Sequence, residues 1–155
     1  MASLNQIYGQ WLDETQKKLI DEYNKLGFRA SGRYARELEP FQTSTKIGML
    51  GVKYAEYMSR GRGVTSPSKR GKLFGVILQW INDKGITPRE ASMTKKTLAW
   101  IIALKIDREG YSVKGREGVI SNVVTDAWIA ELFRRICNSE IERVKIELTQ
   151  LLKAA

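Results

Sequence analysis

The chain has 155 residues, 43% apolar and 28% charged, with one cysteine, no histidine and a net charge of +9. These values exclude wholesale disorder and a disulfide framework, and they close the histidine-dependent triads and the usual zinc sites. The longest apolar run, "LAWIIAL" from Leu98 to Leu104, is too short to cross a bilayer, and the first residues lack a basic segment followed by an apolar one. A cytoplasm-like compartment without membrane attachment is therefore expected.

Residues 1–27 read as a long helix. Leu4, Ile7, Tyr8, Trp11, Leu12, Thr15, Leu19, Tyr23 and Leu26 recur every three or four positions, with Ser3 as a cap and Gly27 as a stop. A short helix follows Ser31 and ends before Pro40. In "FQTSTKIGMLG" the alternation of Phe41, Thr43, Thr45, Ile47 and Met49 predicts a strand pair within residues 40–50. One or two helical turns at Val52 to Ser59 lead into a basic loop, residues 59–72. The next helix, "GKLFGVILQWINDKGI", turns Leu73, Phe74, Ile77, Trp80 and Ile81 inward and stops at Gly85. Thr87, Pro88 and Glu90 look like the start of another, with Leu98, Ile101, Ile102 and Ile106 as its core face and Gly110 as its end. Residues 119–124 are a candidate extra strand. Thr125 caps a helix that buries Ile129, Leu132, Phe133 and Ile136 and extends to residue 152. Over 139–152 the alternation Val144, Ile146, Leu148 keeps a strand open as the second option. The expected fold is a single α+β domain over 1–155, mostly helical, with a small antiparallel sheet or hairpin and long N- and C-terminal helices.

Charge is uneven along this plan. Residues 28–72 hold ten basic and three acidic side chains, a net of +7, and Arg60, Arg62, Lys69, Arg70 and Lys72 crowd the loop. Such a cluster suits an anionic partner through salt-sensitive, sequence-independent phosphate contacts. It suits a solvated connection equally well, because the loop has no aromatic side chain on which a base would stack. A phosphate-binding loop is excluded: Gly71-Lys72 is followed by Leu73, and Ser66 stands where the first glycine belongs. Cys137 has the spacing of a small buried hydrophobe. Asp83, Asp107, Glu109, Glu131, Glu140 and Glu142 neighbour basic residues and read as charged surface. The chain is expected to be no enzyme and to hold no cofactor or metal.

The order of the segments says more. Ser31-Gly32, a strand region, "YAEYMSRGRG", "ILQWINDKGI" and "TLAWIIALKIDREG" together resemble the neck and tail-completion family of tailed bacteriophages, over roughly residues 28–124. The chain departs from that pattern in having only Pro67 ahead of the Trp80 helix, where relatives carry a proline pair. The resemblance implies a structural virion protein forming a ring of six or twelve copies in the head–tail connector. Its partners would be portal or adaptor proteins and tail proteins, and it would be assembled in the host bacterial cytoplasm. Arg60, Arg62, Lys69, Arg70 and Lys72 would then face either packaged DNA in the exit channel or a neighbouring ring. Subunit contacts are expected around Trp11 and Trp128, and Tyr54, Tyr57, Trp80 and Trp100 around one small core. The alternative is a small basic protein that binds DNA without sequence preference.

Overall fold

The computed structural model describes residues 3–52, 54–69, 71–114 and 118–154. Among them the chain runs α1 (Leu4–Lys25), α2 (Arg33–Glu37), β1 (Glu39–Gln42), β2 (Ile47–Leu50), α3 (Ala55–Arg60), α4 (Phe74–Asp83), α5 (Lys95–Glu109) and α6 (Asp126–Ala154). This is the mostly helical α+β arrangement expected, with long terminal helices and one two-stranded antiparallel sheet. Residues 139–152 are helix throughout.

α1 is the spine. Ser3 and Gln6 cap its start reciprocally, the Gln6 N–H donating to Ser3 Oγ and the Ser3 N–H to Gln6 Oε1. Its stripe of Ile7, Trp11, Leu12, Thr15, Leu19 and Tyr23 is buried. Towards the N-terminal end Ile7, Trp11 and Leu12 pack on Leu132, with Trp128 and Ile136 of α6 beside them. Towards the C-terminal end Leu19 and Tyr23 pack with Tyr34, Leu38, Val52, Val119 and Val123. Met49 of β2 touches both groups, so the hairpin joins them. The hairpin bends at Thr43–Lys46, where the Lys46 N–H donates to Thr43 Oγ1 at 2.9 Å. Burial among these rings pushes the Tyr34 phenol up to about 12.

The junction of α1 with α6 is the most specific contact in the fold. Trp11 and Trp128 stack at 5.7 Å between ring centroids. Trp128 Nε1 donates to Thr15 Oγ1 at 2.9 Å, Thr15 Oγ1 donates to the Trp11 carbonyl, and Trp11 Nε1 donates to the Trp128 carbonyl. Every polar atom of the two indoles is thus satisfied while their apolar faces are covered. Lys18 Nζ lies 3.9 Å from the centroid of the Trp128 ring. Arg135 donates two hydrogen bonds to Glu14, which hold its carboxyl below the usual range, and one to Glu131.

Five sequence expectations are corrected. α5 begins at Lys95, not near Thr87, with Thr94 as the cap accepting from the Thr97 N–H. Residues 89–92 form a bend and a turn instead, the Met93 N–H donating to the Glu90 carbonyl. The face of α5 that is buried is Ala99, Ala103 and Asp107, while Ile101 is half exposed; α4 packs on α5 and buries Ile81. Residues 119–124 form consecutive turns, because Val119 and Val123, four apart, both enter the core. Finally, Ile129, Phe133 and Cys137 are exposed: α6 packs along Trp128, Leu132 and Ile136, and those three residues lie round the helix from that line. Tyr54, Tyr57, Trp80 and Trp100 surround no common core. They are all partly exposed, and Trp100 meets only the edge of Phe74 among aromatic rings of the described residues.

Replacing Trp128 with alanine removes a stack, a cation contact and the Thr15 bond together. The variant is expected to lose about 3–5 kcal/mol of unfolding free energy in urea titrations, and Trp128→Phe to lose clearly less.

Candidate functional site

The basic loop is folded against the C-terminal end of α5. The Arg62 N–H donates to the Tyr111 carbonyl at 2.8 Å and the Tyr111 N–H to the Arg62 carbonyl at 2.7 Å. Such a close crossing demands glycine on both strands. A Cβ on Gly61, at φ +79, would lie 2.4 Å from the Tyr111 oxygen, and one on Gly110, at φ +81, would lie 2.5 Å from the Arg62 oxygen. Farther along, the Thr65 N–H donates to the Asp107 carbonyl and the Gly71 N–H to Asp107 Oδ2, each at about 3 Å.

Asp107 is the anchor. It is fully buried in the last turn of α5, where the helix dipole disfavours a carboxylate. The Gly71 amide and the Arg62 guanidinium, 3.9 Å away, offset that cost. Arg62 also donates to the hydroxyl of buried Thr65 at 2.6 Å. Arg62 is therefore a structural cation turned inward, not a free phosphate contact as expected. Arg60, Lys69 and Lys72 are exposed, and Arg60 reaches Glu56 only at 3.9 Å. Arg70 lies outside the described residues. The loop thus presents Arg60, Lys69 and Lys72 on a base held to α5 rather than on a slack connection.

The carboxylates do not gather into a catalytic pair. Glu140 and Glu142 meet Arg143 and Lys145, Glu131 meets Arg134 and Arg135, and Asp83 accepts from Gln79. Asp107, expected on the surface, is buried because the loop wraps it. Among the described residues no group of three or more Cys, Asp or Glu side chains is placed to hold a metal ion, and no helix is long and apolar enough to cross a membrane. An open groove of about 790 Å³ between α1 and the start of α6 is lined by charged side chains such as Lys18, Asp21, Glu22 and Lys25, of which Glu22 is already bound to Lys25 and Asn122.

What the surface offers instead is apolar area. Val76 and Trp80 of α4, Trp100 and Ile101 of α5, and Phe133, Ile141, Val144, Leu148, Leu151 and Leu152 of α6 are all exposed. Total accessible area is 10913 Å² for 17.6 kDa, where a compact monomer of that mass exposes ~7,900 Å². The excess, roughly 3,000 Å² of polar and apolar surface together, includes the outer half of α6, where every described side chain beyond Glu140 is exposed. Trp11 and Trp128, expected at subunit contacts, face each other within the chain instead, and the half-exposed tryptophans are Trp80 and Trp100. The Asp107 anchor escaped the sequence reading. Its signal was an acid four residues beyond Ala103 and eight beyond Ala99, in line with two small residues on one helix face.

Comparison of the chain with protein families, with curated proteins and with solved structures returns no match.

Asp107→Ala should free the loop. The native chain is expected to resist trypsin at Arg62, and the variant to be cut there at least tenfold faster, the loss of a buried pair costing about 3 kcal/mol. Equal cleavage of the two proteins would show that Asp107 does not hold the loop.

Proposed function

We propose that this chain is a non-enzymatic structural subunit that assembles into a ring in the neck of a tailed bacteriophage, joining the portal side to the tail around the DNA path. One observation carries the reading: the protomer leaves large apolar side chains exposed in groups on α4, α5 and α6. A monomer gains nothing from such surface, whereas a closed assembly buries it against adjacent copies and ring neighbours. The motif order of residues 28–124 supports the same class of protein.

Subunit contacts belong, on this reading, to the outer face of α4 and α5 around Trp80 and Trp100 and to α6. Arg60, Lys69 and Lys72 remain for DNA in the channel or for an adjoining ring. With Arg62 turned inward, the loop keeps fewer charges for free DNA binding, which disfavours the stand-alone DNA-binding alternative.

Light scattering and negative-stain microscopy of the purified chain at 0.5 M salt, alone and with portal-side proteins of the same virion, test this. Annular particles of six or twelve copies are expected. A monodisperse monomer that joins no virion component and binds DNA tightly at low salt would overturn the proposal.

A further inference from the structure

We propose that the outer half of α6 pairs with the same helix of a second copy of this chain, parallel and in register. This pairing rests on the self-association proposed above and names a surface that carries it. α6 has 29 residues, and beyond Glu140 every described side chain is exposed. The projecting segment, residues 141–153, is ~20 Å long.

Its apolar residues are spaced for a partner helix. Cys137, Ile141, Val144, Leu148 and Leu151 follow one another at intervals of four, three, four and three, the a and d positions of a coiled-coil seam. Ile141 is 52% exposed, Leu148 55% and Leu151 67%. At 3.6 residues per turn this seam runs nearly opposite Trp128, Leu132 and Ile136, which face α1. A second helix can therefore lie along it without meeting the protomer's own core. Towards the core the next a position is Arg134, so the seam ends at Cys137. Ile146 lies outside it.

Flanking charges choose the direction. Glu140 and Glu147 precede the two a residues, at g, and Lys145 follows Val144, at e. In a parallel pair each Glu140 faces Lys145 of the other copy; an antiparallel pair sets Glu147 against Glu147 and Lys145 against Lys145. Within the protomer Glu140 and Lys145 bind Arg143 and Glu142 at 2.7 Å, exposed pairs that exchange at little cost. Two heptads do not hold a coiled coil alone. They suffice where other contacts already keep the copies close.

Cys137 supplies the probe, since facing d residues of a parallel pair come within disulfide reach. In an antiparallel pair the two thiols would be on the order of 25 Å apart. Diamide oxidation of the assembled full-length protein, which joins two thiols as the diamide is reduced, is expected to give a covalent dimer. That dimer should be absent from Cys137→Ser. Leu148→Asp, on an exposed site and checked for folding by circular dichroism, should weaken self-association roughly tenfold to a hundredfold. Glu140→Lys and Lys145→Glu should each weaken it, and an equimolar mixture of the two should recover it. A wild type that assembles while giving no covalent dimer, and whose size distribution Leu148→Asp leaves unchanged, would overturn the pairing and leave the ring standing. A wild type that never self-associates, with or without its virion partners, would remove both.

Discussion

α1 provides the surface on which the hairpin, the turns after residue 118 and the first part of α6 are packed, and its buried stripe is fully used. Its one buried stripe is covered by the β1–β2 hairpin, by turns carrying Val119 and Val123, and by the first part of α6. Nothing remains to receive the outer half of α6. The pair α4 and α5 packs chiefly on itself, with Ile81, Ala99 and Ala103 buried, and turns Val76, Trp80 and Trp100 to the outside. A chain of this length can bury only part of its apolar area in one small core, and here the shortfall is concentrated on particular helices instead of scattered. That concentration separates surface meant for a partner from the single exposed apolar residues every protein carries.

The two specific polar devices of the fold do different work. The Trp11–Trp128 stack, with Thr15, Lys18, Glu14 and Arg135 around it, fastens the chain's two terminal helices in one register. Because Arg135 favours the ionised form of Glu14, this fastening is strongest above the ordinary carboxylate range and weakens as pH falls below it. Asp107 instead converts a glycine-rich basic segment into a defined shape. Burying one acid at a helix end is unfavourable by itself, and it is tolerated because two loop amides and a guanidinium converge on that turn. The outcome is a rigid platform for Arg60, Lys69 and Lys72, with little entropy left to lose when they meet an anionic surface.

Much of the fold was legible in the residues. The α1 stripe, the stops at Gly27, Gly85 and Gly110, and the bend inside "FQTSTKIGML" all follow from local chemistry, and each stands where expected. Periodicity misled where it could not say which face meets a partner. Ile101 and Phe133 share the helical spacing of core residues yet are exposed, because the core ends before it reaches them. The same limit hid the site: Trp11 and Trp128 looked like contacts between copies, and only the fold shows that each is the other's partner. Arg62 and Asp107, 45 positions apart in the chain, carry no local mark of belonging together. Over residues 139–152 the alternation Val144, Ile146, Leu148 left a strand open beside a helix, and the structure shows helix throughout.

Amide hydrogen exchange across residues 141–153, followed as the protein concentration is raised, addresses the central claim most directly. An uncovered helix end opens readily in an isolated protomer and exchanges fast. If this surface exists to be buried between copies, protection there should rise with concentration while protection in α1 stays constant. Fast exchange in 141–153 at every concentration, in a sample that has assembled, would contradict the account.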